Sequence, residues 1–287
     1  MKYFFGKVRM IEQIAKQKFG PSQQIKLIQK TQLNHDSYLF RFQTDNQIDK
    51  SQYKPGSHFV INGLKGQDEN MKKKYTPIEP FGNSNYFDAL IKIYRPNENP
   101  KFPQGGELTP RLENLQLGEE ILVTGPLISI FYEGQGKFNI QRFKQEVDKD
   151  TTQVIKPNHI LFLAGGTGIA PIYSMIQEMI REGNTSTKVT LLYGNKSIDD
   201  ILLKKELDSF AQQNTNLQIV YTVDSIKKNE QWNGEVGIIN KYMIQKYAND
   251  PKNPENYIMI CGNTEMNKSC LKIVKELGFD PYHYFRF

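Results

Sequence analysis

Ala164-Gly165-Gly166-Thr167-Gly168-Ile169-Ala170-Pro171 lies between a continuous apolar run, Ile160 to Ala164, and an amphipathic stretch that ends near Gly183. A short apolar run, a cluster of glycines and a stretch of helical period read as a buried strand, a tight turn and a helix. Three glycines remove side chains where backbone amides must come close to a ligand. Pro171 suits the first turn of the helix, because the donor it lacks would have had no acceptor there. A helix N-terminus at the carboxyl end of a parallel strand is a natural seat for an anionic nucleotide. The same glycines also serve a tight strand-to-helix turn that binds nothing. The strict G-x-G-x-x-G pattern is absent, since Pro171 stands at the third glycine position.

Toward the C-terminus the alternation continues. Val189 to Tyr193 is a second apolar run, followed by the helical stretch Ile198 to Gln213. Leu217 to Thr222, Ile238 to Tyr247, Tyr257 to Cys261 and Glu265 to Leu277 follow in turn, with a short closing strand at Tyr284 to Phe287. Strands alternating with helices imply right-handed crossovers and a parallel sheet covered on both faces. Toward the N-terminus, a polar stretch from Gln141 to Lys156, closed by Pro157, reads as a linker or long loop. Before it the texture is different. Tyr38, Phe40 and Phe42 alternate with Leu39 and Arg41, and His58 to Ile61, Ala89 to Tyr94, Ile121 to Thr124 and Ile128 to Phe131 are further short runs punctuated by turns. Many short strands with one helical exception, beginning at Thr109, predict a small antiparallel β-barrel. The expected fold class is therefore α+β with two domains: an arm over residues 1–24, a barrel over 25–145, a linker over 146–158 and an α/β parallel-sheet domain over 159–287.

The composition fits two modest domains. The chain has 287 residues, of which 38% are hydrophobic and 11% aromatic, enough aromatic mass to exclude a disordered polymer. A net charge of +6 excludes an acidic solvating chain and suits an anionic ligand or an acidic partner. Lysines are scattered, with no basic stripe interleaved by aromatics, so nucleic acid is not expected as a partner. Cys261 and Cys270 cannot form a disulfide framework, and no Cys or His spacing suits a metal. The longest uncharged run, Ile160 to Gln177, is broken by glycines and predicts no transmembrane span. Within residues 1–20, Lys2, Lys7, Arg9, Lys16 and Lys18 face a single acid, Glu12, with apolar residues at helical spacing. That arm reads as a targeting segment, a membrane-contacting or docking helix, or a solvated extension.

Three further clusters carry chemistry. Cys261-Gly262-Asn263-Thr264 ends one strand and opens a helix, with Thr264 the expected N-cap. In Gly105-Gly106-Glu107-Leu108-Thr109-Pro110, Thr109 is expected to cap a helix that starts at Pro110, leaving amides beyond Gly106 to cradle a pyrophosphate. Lys72-Lys73-Lys74-Tyr75-Thr76-Pro77 puts positive charge beside an aromatic ring and a hydroxyl, and Pro77 biases Thr76 toward an extended backbone. None of the four histidines sits in a nucleophilic triad pattern.

Taken in order from about Ile25 to Phe287, these segments resemble the ferredoxin reductase-like (FAD-binding FR-type) flavoproteins, and within them the NADH–cytochrome-b5 reductase branch. The markers are Lys73-Lys74-Tyr75-Thr76-Pro77, Ile91-Lys92-Ile93-Tyr94, Lys101-Phe102-Pro103, Gly106-Glu107-Leu108-Thr109, the Gly165 to Pro171 turn, Asp199 to Leu203, Tyr221 to Asp224, Cys261-Gly262 with Met266, and Phe285-Arg286-Phe287. The resemblance implies a flavin-binding barrel, FAD and NADH as cofactors, and a haem protein such as cytochrome b5, or a larger membrane complex, as electron acceptor. It implies that Tyr75 and Thr76 meet the flavin ring, that Lys73 meets its phosphate, and that Gly106, Glu107, Leu108 and Thr109 hold its pyrophosphate. Leu90 and Lys92 would line the flavin, with Gly166, Thr167 and Gly168 under the nicotinamide and Cys261 and Gly262 beside it. Thr76, Thr167 and Cys261 are thus the expected catalytic positions. Asp224 would accept from the adenosine ribose and favour NADH over NADPH. The expected location is a mitochondrial or cytoplasmic membrane surface. Three positions depart from the family: Lys73 stands for Arg, Glu107 for a basic residue, and Asn263-Thr264 for prolines. The first two imply weaker flavin retention, and with it an alternative in which the chain is a silent scaffold subunit of a larger assembly.

Overall fold

The computed structural model describes residues 22–287 apart from 49–52, 67–70, 80–83, 99, 101–102, 143–146 and 148–149. The expected arm through residue 21 and the Lys101-Phe102 marker lie outside the described residues. The chain divides into two compact units, Met1–Phe131 and Tyr132–Phe287, ahead of the expected 145/146 boundary.

The first unit contains β1 (Gln23–Gln32), β2 (Ser37–Ile48), β3 (His58–Leu64), β4 (Lys73–Tyr75), β5 (Pro77–Glu79), β6 (Ser84–Lys92), helix α1 (Thr109–Asn114) and β7 (Glu120–Leu127). Seven strands form one antiparallel sheet in the order β4-β3-β7-β1-β2-β6-β5. Alternation sets the core: Phe40 and Phe42 are fully buried with Leu27, Phe59, Ile61, Phe87, Ala89 and Ile91. The two edge strands, β4 and β5, are consecutive in the chain and separated by Thr76 alone. Two residues of chain span no more than about 7 Å, so the edges of the sheet are held side by side and it must curl into a barrel.

The second unit opens with a three-stranded antiparallel sheet of β8 (Ile130–Gly134, which starts just ahead of the division), β9 (Lys137–Arg142) and β10 (Thr151–Ile155). β10 lies inside the stretch expected to be a linker. Its run Thr151-Thr152-Gln153-Val154-Ile155 is rich in β-branched residues and pairs with Phe138 to Arg142, so tertiary pairing turns a polar segment into a strand. The parallel domain follows: β11 (His159–Gly165), α2 (Ile169–Arg181), β12 (Lys188–Asn195), α3 (Lys204–Gln213), β13 (Leu217–Val223), β14 (Glu235–Val236), α4 (Lys241–Tyr247), β15 (Asn256–Cys261), α5 (Thr264–Glu276) and β16 (Tyr284–Arg286). All six strands are parallel, in the order β14-β13-β12-β11-β15-β16. From β11 the chain winds outward to β14, then returns to the other side of β11 for β15. The strand order reverses between β11 and β15, and the crevice beyond such a reversal is where open α/β sheets bind ligands. Among the described residues no helix is long and apolar enough to cross a membrane.

Candidate active site

The two turns singled out in the second half of the sequence meet at that reversal. Ala164 and Cys261 are register partners on β11 and β15, so the chain leaves both strands at the same level. Gly166 to Gly168 form a single 3-10 turn, and α2 starts at Ile169 with Pro171 in its first turn, as expected. A Cβ at Gly168 would overlap the carbonyl oxygen of Cys261 and lie 2.5 Å from its carbonyl carbon and 2.8 Å from the amide nitrogen of Gly262. Only glycine fits a backbone approach that close. The Tyr193 hydroxyl, from β12, donates to the carbonyl of Gly166 at 3.0 Å and steadies the turn from below. Thr167 lies between the two glycines, half-buried.

On β15 the cap differs from expectation. Asn263, not Thr264, occupies the N-cap of α5: its backbone is extended and its side-chain oxygen accepts from the amide of Met266 at 2.9 Å. Thr264 is already the first helical residue, because the Asn one position earlier reaches the first-turn amide. Cys261 is a half-buried residue whose thiol is pushed up to about 12 by burial. A thiol held that high is neutral at physiological pH and a poor nucleophile.

Asp224 lies at the end of β13, two strands from β11. Asn195 and Val223 are register partners on β12 and β13, and the amide of Asp224 donates to the carbonyl of Asn195 at 3.0 Å. Asp224 is exposed at the strand end. Partial burial raises its carboxyl above the ordinary value; Lys196 pulls it down and Asp200 pushes it up. Ile238, 69% exposed, follows Gly237, whose amide donates to the carbonyl of Val223 at 2.8 Å. Lys196 and Ile238 did not stand out in the sequence. Only the β12–β13 register and the return of β14 reveal them as neighbours of the Asp224 segment.

In the first unit, Lys73 and Tyr75 alternate onto one face of β4, opposite Ile61 and Phe59. Lys73 is exposed, while Tyr75 is half-buried against the barrel core. Burial, helped by the neighbouring Tyr94, pushes the Tyr75 hydroxyl well above its ordinary value. Thr76, between the two sheet edges, is half-buried, and its hydroxyl has no hydrogen-bond partner among the described residues. Leu90 and Lys92 lie on the face of β6 away from the core residues Phe87, Ala89 and Ile91. Leu90 is 3% exposed, and the Lys92 ammonium is 2.5 Å from Asp36. Burial alone would raise the Asp36 carboxyl, but Lys92 and the Ser37 hydroxyl hold it below its ordinary value. Lys92 is therefore a tethered cation.

The glycine loop is rearranged relative to expectation. Thr109 does not cap α1: its hydroxyl accepts from the amide of Tyr94 at 3.0 Å, Leu108 takes the cap position without a side-chain bond, and Pro110 is the second helical residue. The Gly106 amide is not free, because it donates to the Tyr94 carbonyl at 2.7 Å. Gly105, at φ +68°, holds the loop so close to that carbonyl that an added Cβ would lie 2.6 Å from it. The amides of Glu107, Leu108 and Thr109 have no acceptor among the described residues, and Glu107 itself points to solvent. Three successive unbonded amides suit an anionic pyrophosphate. Tyr94, 49% exposed, joins the features: its backbone anchors the loop while its ring neighbours Tyr75 and Lys92. Sequence reading gave Tyr94 no role of its own, since its two backbone bonds leave no trace in residue type.

A barrel carrying an amide loop beside an aromatic ring, followed by a parallel domain with a glycine turn at its switch point, defines the two-domain oxidoreductases that bind a flavin and a nicotinamide. The family described as "Oxidoreductase FAD-binding domain" matches residues 24–132, and that described as "Oxidoreductase NAD-binding domain" matches residues 162–272. The NADH-cytochrome b5 reductase 2 of Xenopus laevis is 31% identical over 255 residues, 88% of this chain and 83% of the relative. That of Danio rerio is 30% identical over 263 residues, 91% of this chain and 82% of the relative. The cytochrome b5 reductase domain of Ulva prolifera nitrate reductase superposes with a TM-score of 0.80 at 28% identity, covering 94% of this chain and 99% of that one. The chain belongs to the NADH–cytochrome b5 reductase family.

Proposed function

We propose that this protein is an NADH-dependent flavoprotein that delivers electrons to a haem protein of the cytochrome b5 type. The observation that carries the reading is the close backbone approach of Gly168 to the Cys261 carbonyl at the switch point of the parallel sheet, where the turn itself projects no bulky side chain from Gly165, Gly166 or Gly168. Membership of the reductase family, whose relatives are named for NADH and cytochrome b5, supports the choice of donor and acceptor.

When bound, FAD supplies the conversion of a hydride taken from NADH into electrons released singly. The protein's residues bind, orient and shield. Glu107, Leu108 and Thr109 offer their amides to the pyrophosphate, with Lys73 as an added cation, and Tyr75 and Thr76 hold the flavin ring. Leu90 and the Asp36-tethered Lys92 line it. In the parallel domain the Gly166-Thr167-Gly168 turn leaves room for the nicotinamide, and the neutral Cys261 and Gly262 bound it on the other side. Asp224 takes the ribose hydroxyls and disfavours a 2′-phosphate, so NADH is the preferred donor. Glu107, exposed and able to turn outward, does not obstruct the amides, so the silent-scaffold alternative is not favoured. The proposal extends to a membrane surface, mitochondrial or cytoplasmic, supported by the basic residues at positions 2 to 18.

The protein mixed with FAD, NADH and oxidised cytochrome b5 is expected to reduce the haem, followed by its absorbance, and to need all three components. A flavin-loaded protein that leaves the haem oxidised in excess NADH would overturn the assignment. Tyr75→Ala is expected to weaken flavin retention about tenfold, the worth of one aromatic contact, while Tyr75→Phe keeps it. Flavin fluorescence after gel filtration reads both, and equal retention by the alanine variant would remove Tyr75 from the site.

A further inference from the structure

We propose that Lys196 is a second determinant of dinucleotide choice, forming with Asp224 a latent seat for a 2′-phosphate that the Asp224 carboxylate keeps closed. The inference rests on the reading of Asp224 as the ribose residue. It goes beyond it by assigning a role to a lysine that the motif does not contain.

The geometry is a matter of register. Asn195 and Val223 are partners at the ends of β12 and β13, and the bond from the Asp224 amide to the Asn195 carbonyl locks that pairing. Lys196 and Asp224 each follow those partners by one residue, so a cation and an anion leave adjacent strands side by side at the carboxyl edge of the sheet. Their electrostatic interaction is direct, and Lys196 makes no ion pair within 4 Å among the described residues. Both are exposed.

The surrounding charges decide what the pair does. Asp199 is matched by Lys227 at 3.2 Å, and Asp200 receives the Ser197 hydroxyl at 2.6 Å while acting on Asp224. Asp224 and Asp200 together outweigh one ammonium, so a phosphate, which brings nearly two more negative charges, meets net repulsion. Two free ribose hydroxyls meet a good acceptor instead. Removing the Asp224 charge leaves Lys196 and Asp200 to cancel, which lifts the net repulsion. Lys196, the register neighbour of position 224, is then a point cation suited to a phosphate oxygen. Selectivity here is a difference between two opposed groups, and only one of the two has to change.

The test uses the flavin-loaded full chain and two probes without a nicotinamide, adenosine 5′-monophosphate and adenosine 2′,5′-bisphosphate, titrated by calorimetry. The unaltered protein is expected to bind the monophosphate at least tenfold more tightly. Asp224→Asn, which keeps the shape, is expected to move the affinity ratio toward the bisphosphate by tenfold or more. Lys196→Gln added to Asp224→Asn is expected to return about tenfold of that ratio, and added salt to erase the gain. A gain of the same size with and without Lys196 would overturn the proposal while leaving the Asp224 reading intact. Failure of the unaltered protein to bind either probe would overturn the nucleotide reading and this inference with it.

Discussion

Gly168→Ala is expected to lower stability by about 3 kcal/mol and to raise the KM for NADH sharply. The added methyl meets the carbonyl carbon of Cys261 and the amide of Gly262, which are main-chain atoms at the end of a paired strand and cannot rotate aside. Relief requires β11 and β15 to separate at their carboxyl ends, where Ala164 and Cys261 are paired. The neighbouring Gly166→Ala is the contrast. There φ is +52°, but an added Cβ meets nothing within 4 Å, so only the left-handed backbone penalty of about 1 kcal/mol applies. Urea midpoints of the two variants, with NADH kinetics alongside, separate crowding from backbone strain. Equal losses would show that the close approach to Cys261 does not control this turn.

Arg142→Leu is expected to cost about 3 kcal/mol of stability. Arg142 is 2% exposed, and its guanidinium has no carboxylate partner among the described residues. It donates to the Tyr284 carbonyl at 2.7 Å, to Gln153 Oε1 from two nitrogens at 3.0 and 2.9 Å, and to the Tyr257 hydroxyl, over the rings of Tyr257 and Phe285. Leucine removes a costly buried charge but withdraws the donor from three acceptors at once; the Tyr284 carbonyl keeps only the longer bond from the Tyr257 hydroxyl at 3.3 Å, and the lost bonds outweigh the relief. Because Arg142 ties β9 and β10 to β16, the loss should appear as a lower thermal midpoint for the second unit. Arg142→Lys should recover less than half, since one ammonium cannot reproduce the planar fork. A leucine variant as stable as the parent would show that these bonds contribute nothing net.

The elements most legible in the sequence were those whose periodicity is set by burial. Tyr38 to Phe42 announces an inward-facing barrel strand, and Ile160 to Ala164 with its glycines announces the first parallel strand and its turn. β10 is hidden because the only apolar residues of Thr151 to Ile155, Val154 and Ile155, are adjacent rather than alternating and close a polar stretch; its strand character comes from pairing with Phe138 to Arg142. The helix caps at Thr109 and Thr264 were misplaced for a related reason. Residue type names a competent acceptor but does not say what else competes for it: the Tyr94 amide takes the Thr109 hydroxyl, and Asn263 reaches the α5 amide first. Pairs made by sheet register, Lys92 with Asp36 and Lys196 with Asp224, have no local signature at all. The roles given to Tyr75, Thr76, Asp224 and Cys261 came from resemblance to a family. What the folded chain adds is the physical setting of each: a half-buried ring, a hydroxyl without a partner among the described residues, an exposed carboxylate and a neutral thiol.

The most direct test is an anaerobic titration of the FAD-reconstituted protein with NADH, followed by visible absorbance. A bound flavin is expected, its absorbance bleaching in proportion to added NADH and complete near one equivalent. A protein that retains no FAD, or a flavin whose absorbance persists in excess NADH, would contradict it.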